Sequence, residues 1–141
     1  MFIQLSKNRK INLSHVSNIV LLNTKRIVFN MSYSTNVKCN DGVKELADYI
    51  YWDGYDDSDK VRLLENDYIK QNFVQFYDTN RIINKNMISS IKCDDSRKRI
   101  IINLAYGIRL KPNTCLTPDF IFVDSEDEAN YEKNKIFVEM L

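Results

Sequence analysis

Six cations and four aromatic rings in this chain are spaced as a site for single-stranded nucleic acid would need them. Arg9, Lys25, Arg26, Arg81, Lys98 and Arg99 sit in or beside turn signals, among them "SKNRKI", "LNTK" and "CDDSRK". Tyr49 and Tyr51 alternate along "DYIYWD", and Phe120 and Phe122 alternate along "DFIFVD". Cations neutralise phosphates, and aromatic faces stack on bases at about 1–3 kcal/mol each with little regard to base identity. The ordinary alternative is that turn lysines keep strand edges soluble and that strand aromatics pack. On that alternative Tyr49, Tyr51, Phe120 and Phe122 form a seam inside the protein, and the seam is the preferred reading.

The charge distribution supports a basic surface. The net charge is only +1. Yet residues 1–44 hold seven Lys and Arg against Asp41 alone, and residues 81–111 hold eight against Asp94 and Asp95. The acids collect instead around 53–59 and 124–128, so a near-neutral protein can carry a basic sheet and an acidic helical side.

Other chemistries lack their residues. No paired catalytic carboxylates, nucleophile elbow or phosphate loop can be named, which argues against an enzyme. His15 is the single histidine, and Cys39, Cys93 and Cys115 are widely spaced and odd in number, reading as reduced thiols of an intracellular protein. Asp53, Asp56, Asp57 and Asp59 crowd one turn and Asp124, Glu126, Asp127 and Glu128 another, without the EF-hand spacing or its glycine. Acids at a helix start are favoured by the dipole in any case, so no metal or cofactor is expected. The longest apolar runs fall well short of the roughly 20 residues of a membrane span, and nothing resembles a secretory signal. Sixteen Asn and sixteen Ile suit an AT-rich genome, whether organellar, phage or low-GC bacterial.

The elements that must position these residues occur twice. "FIQLSKN" at Phe2 matches "FVQFYDT" at Phe73, "INLSHVSNI" at Ile11 matches "INKNMISSI" at Ile83, and "RIVFNMSY" at Arg26 matches "RIIINLAY" at Arg99. "DYIYWD" and "DFIFVD" complete the series, and ordered matches of this kind mark a tandem repeat. Each repeat predicts four strands and a helix: residues 1–71 and residues 72–141, together one compact α+β domain with a pseudo-twofold. The second strand is broken by a bulge or short turn within "INLSHVSNI". In the fourth, Ile50 and Trp52 point one way and Tyr49 and Tyr51 the other, as Ile121 and Val123 oppose Phe120 and Phe122. The closing helices predict caps at Asp57 or Ser58 and at Ser125, the latter boxed with Glu128, and apolar faces of Val61, Leu64 and Tyr68 and of Ile136, Phe137 and Met140. A repeat of about 70 residues has a marginal core, so neither half is expected to fold well alone.

Two copies of four strands and a helix, spanning the whole chain, resemble PUR-repeat and Whirly proteins. Those proteins bind single-stranded DNA or RNA on curved sheets, and the resemblance implies the same activity here. "KINLSHVSNI" is also similar, over about ten residues, to a strand-and-turn string of LytTR-type DNA-binding domains. The expected partner is single-stranded nucleic acid. The alternative is a non-enzymatic accessory subunit that binds protein within a larger assembly, with no membrane partner and with a homo-oligomer left open.

Overall fold

Runs of β-branched and aromatic residues put most of the chain into strands. The structure, a computed structural model, describes residues 1–22, 25–54, 56–108 and 117–141. The first half of the chain runs β1 (Phe2–Ser6), β2 (Arg9–Asn12), a 3₁₀ turn over Leu13–His15, β3 (Val16–Leu22), β4 (Arg26–Cys39), β5 (Gly42–Asp53), α1 (Asp57–Leu64) and α2 (Asp67–Asn72). The second runs β6 (Phe73–Gln75), β7 (Arg81–Asn84), a 3₁₀ turn over Lys85–Met87, β8 (Ile88–Asp94), β9 (Arg99–Ile108), β10 (Thr117–Asp124) and α3 (Glu128–Glu139). The class is α+β, and every strand pairing among the described residues is antiparallel.

The strands form three sheets: β1-β2, β5-β4-β3-β7-β6 and β10-β9-β8. In the five-stranded sheet β7 of the second half pairs with β3 of the first, with Asn18 opposite Ile83, Ile19 opposite Ile82 and Val20 opposite Arg81. Because side chains alternate across a strand, Ile82 and Ile83 face opposite ways. Ile82 and Phe73 enter a core with Ile19, Ile27, Phe29 and Leu63, whereas Ile83 and Val74 enter a second core with Ile100, Ile102, Ile121 and Tyr131. The β6-β7 hairpin is therefore the partition shared by both cores. β3, covered on both faces and paired on both edges, buries every residue from Val16 to Leu21.

The predicted second strand of each half is two strands, because a 3₁₀ turn separates them. Asn12 and Asn84 cap these turns, accepting from the N–H groups of Ser14 (3.1 Å) and Asn86 (3.0 Å). A bulge follows at Val16–Asn18 and at Ile88–Ser90.

The helices also depart from expectation. α1 is capped by Asp56, whose side chain accepts from Asp59 N–H (2.9 Å) while Asp59 accepts from Asp56 N–H (3.2 Å). The helix expected to continue through Tyr68 stops, because Asn66 takes extended backbone and caps α2 through the N–H groups of Tyr68 and Ile69. α3 is capped by Asp127 rather than Ser125. Ser125 still belongs to the hairpin, its N–H donating to Lys98 O at 3.1 Å. Of the predicted faces, Leu64, Tyr68 and Phe137 pack against the cores as expected, whereas Val61, Ile136 and Met140 are exposed and Leu63 and Tyr131 are the buried residues.

Candidate functional site

Register places the candidate residues at strand ends. Arg26 opens β4 and lies opposite Asp53, the last residue of β5, with Tyr51 two residues back on the same face. The Arg26 guanidinium grips both carboxylate oxygens of Asp53, Nε to Oδ1 at 2.5 Å and Nη2 to Oδ2 at 3.3 Å, and lies 4.3 Å from the Tyr51 ring centroid. Arg99 and Asp124 occupy the same positions on β9 and β10, at 2.6 and 3.3 Å, with the guanidinium 4.1 Å from the Phe122 centroid. Tyr49 and Tyr51 lie 4.8 Å apart at 37°, and Phe120 and Phe122 lie 4.9 Å apart at 35°.

The turns that present these groups also correspond. Lys25 and Lys98 precede the arginines with φ of 56° and 51°, left-handed conformations that a tight hairpin demands. Their carbonyls accept from Gly54 N–H (3.0 Å) and Ser125 N–H (3.1 Å), tying each hairpin to the strand end beyond the aspartate. Deeper in each sheet, Ser17 Oγ donates to Asn30 O and Ser89 Oγ to Asn103 O, both at 3.0 Å.

The four rings are not a seam. Tyr49 is 53% and Phe120 50% exposed, and Tyr51 and Phe122 are exposed too. The halves meet through β3 and β7, with Ile82 and Ile83 of β7 entering both cores, and again where β4 and β5 approach β9. Edge strands β5 and β10 are left to carry their aromatics on the outer faces.

The cations separate into three environments. Arg26 and Arg99 are already charge-paired, and the aspartate hydrogen bonds raise both guanidinium pKa values above the ordinary arginine range. Arg81 is turned inward, Nη1 donating to the buried Asn18 Oδ1 at 2.6 Å. Arg9 is exposed and reaches Tyr51 O at 3.5 Å, and Lys25 is exposed at its turn, while Lys98 is half-buried.

Asp53 and Asp124, which end the quoted aromatic stretches and which the sequence places only among the crowded acids, are the ion-pair partners of Arg26 and Arg99. Their turns carry surface depressions, one lined by Lys25, Asp56, Asp57 and Lys60, another by Asp78, Asp124, Glu126, Asp127 and Asn130. Among the described residues no group of three or more His, Cys, Asp or Glu converges to hold a metal ion. Nor is any helix among them long and apolar enough to cross a membrane. Beneath α3, Tyr131 Oη donates to Asp95 at 2.7 Å, and burial with that neighbouring carboxylate pushes the phenol pKa up. Cys93, half-buried nearby, has its thiol raised by burial and is a poor nucleophile. Cys39 and Cys115 lie outside the described side chains.

No family model, no curated protein and no solved structure matches this chain, so its function must be argued from the geometry above.

Proposed function

We propose that the chain is a single-stranded nucleic-acid-binding domain made of two copies of one strand-rich unit, residues 1–71 and 72–141, in the manner of PUR-repeat and Whirly proteins. One observation carries the reading: exposed aromatic pairs on outer sheet faces, each flanked by a stacked arginine, at Tyr49/Tyr51 and Phe120/Phe122. The guanidinium covers one face of Tyr51 or Phe122, so a base would stack on the ring surface left exposed in each pair, and stacking requires no particular base identity. The duplication is supported by the Arg–Asp–aromatic groups, the left-handed lysines and the capped 3₁₀ turns, which recur in chain order.

The test is fluorescence anisotropy of a labelled single-stranded oligonucleotide at about 50 mM and about 200 mM salt. Two phosphate contacts on a single strand weaken binding about sevenfold across that range. Absent or salt-insensitive binding removes the reading.

A second reading, an accessory subunit that binds protein, is favoured by the aspartates that already neutralise Arg26 and Arg99 and by exposed Ile136, Met140 and Leu141 at the end of α3. Migration of the chain as part of a large complex in native extract, without oligonucleotide binding, selects it.

A further inference from the structure

Resting on the nucleic-acid reading, we infer that only the first-half platform, Tyr49 and Tyr51 served by Arg9 and Lys25, takes the single strand, so that the chain holds one short segment rather than two. Geometrically the two aromatic pairs are nearly superimposable; chemically they are not. Tyr49 and Tyr51 carry hydroxyls that can donate to and accept from base edges or sugar, whereas Phe120 and Phe122 offer only their faces. The cations beside the two platforms differ more. Arg9 is exposed at the backbone of Tyr51, and among the described residues it has no carboxylate partner. Its counterpart in the second half, Arg81, is spent on Asn18 inside the junction between β3 and β7.

The turns complete the contrast. Beside the tyrosines, Lys25 and Lys60 balance Asp56 and Asp57 in a depression of zero formal charge. Beside the phenylalanines, Asp78, Asp124, Glu126 and Asp127 line a depression that has no cation among the described residues. Even with Arg99 set against Asp124, three carboxylates remain, and a phosphate approaching Phe122 meets a repulsive field. A base on the tyrosine pair has its phosphates beside the exposed Arg9 and Lys25; a base on the phenylalanine pair has at the matching positions, among the described residues, only the half-buried Lys98 and an Arg81 turned toward Asn18.

The test counts and then locates. Native mass spectrometry with a single-stranded tetranucleotide is expected to show one equivalent bound per chain. Anisotropy with the same probe is expected to weaken about 5- to 150-fold in Tyr51→Ala, the range for loss of one stacked base. Arg9→Gln, a change at an exposed side chain that leaves the fold untouched, is expected to reduce the slope of log affinity against log salt by about 0.7. Two equivalents per chain, full affinity in Tyr51→Ala, or an unchanged slope in Arg9→Gln overturns the assignment while leaving nucleic-acid binding in place. No binding by the unaltered chain overturns the parent reading as well.

Discussion

Asp53 holds Arg26 out of service, and relieving that hold is the most direct way to ask whether the β4-β5 edge handles phosphates. Asp53→Asn keeps the shape and one acceptor oxygen but removes the carboxylate that grips the guanidinium at 2.5 and 3.3 Å. The released charge lies beside Tyr51 and Arg9, so it adds about one phosphate contact. On a single strand that steepens the salt dependence by about 0.7. Referred to 1 M salt, the gain in affinity is about eightfold at about 50 mM and about threefold at about 200 mM. The fold should be nearly indifferent, because the two side chains are 39% and 62% exposed and surface ion pairs contribute little to stability. The measurement is oligonucleotide anisotropy over a salt series, with a thermal melt on the same sample. An unchanged slope with an unchanged melt refutes the reasoning, since a cation freed at the proposed binding surface must release counterions. Asp124→Asn, among three further carboxylates, is expected to steepen the dependence less.

Three other outcomes follow from particular contacts. Asn134 is fully buried in α3 and bonds both backbone groups of Tyr77, accepting at 2.8 Å and donating at 3.2 Å, so Asn134→Ala should cost about 2–3 kcal/mol by urea titration; a loss below about 0.5 kcal/mol would mean that water replaces the amide. Asp95 is held below the usual carboxylate range by the Tyr131 hydroxyl and then by Lys135, so its contribution is present above about pH 4 and is lost as pH falls through its folded value. Asp95→Asn should therefore show a shallower acid limb than the unaltered chain in urea midpoints, and superimposable limbs would sink that account. Finally, Lys10 stands 72 residues before Ile82 and Ile91 stands 72 residues after Ile19, and Ile82 and Ile19 pair at the β3-β7 junction, so Lys10→Ile should let β2 of one molecule pair with β8 of another. Sedimentation should show larger species than the unaltered chain gives at equal concentration, and identical profiles would refute the matching of the two edges.

Strand positions were legible in the sequence because alternation and the internal matches reinforce each other: Ile50 and Trp52 do pack inward, and Tyr49 and Tyr51 do face out. The helix faces were legible in part, since Leu64, Tyr68 and Phe137 pack inward while Val61, Ile136 and Met140 do not, and the caps were not, because a cap is decided by where the preceding strand lets go. Ser125 has the right side chain for a cap, yet its N–H completes the hairpin at Lys98. The candidate cations were legible as residues but not as states. Nothing local marks that Asp53 lies opposite Arg26, a fact of β4-β5 register, or that Arg81 turns toward Asn18 while Arg9 stays in solvent. The exchange that puts β7 beside β3 was invisible too, because the sequence matches describe each half and not which half's edge accepts the other's hairpin.

That exchange sets an order of events during synthesis. β3 leaves the ribosome with an apolar edge whose partner, Arg81–Asn84, is still some 60 residues from being made. At about 5–20 residues per second the edge stays bare for roughly 3–12 seconds. During that time "VSNIVL" has β4 on one edge and nothing on the other, and the nascent first half can only be provisional. The last strand pairing of the five-stranded sheet is thus a timing device: translation of the second half is what completes the first.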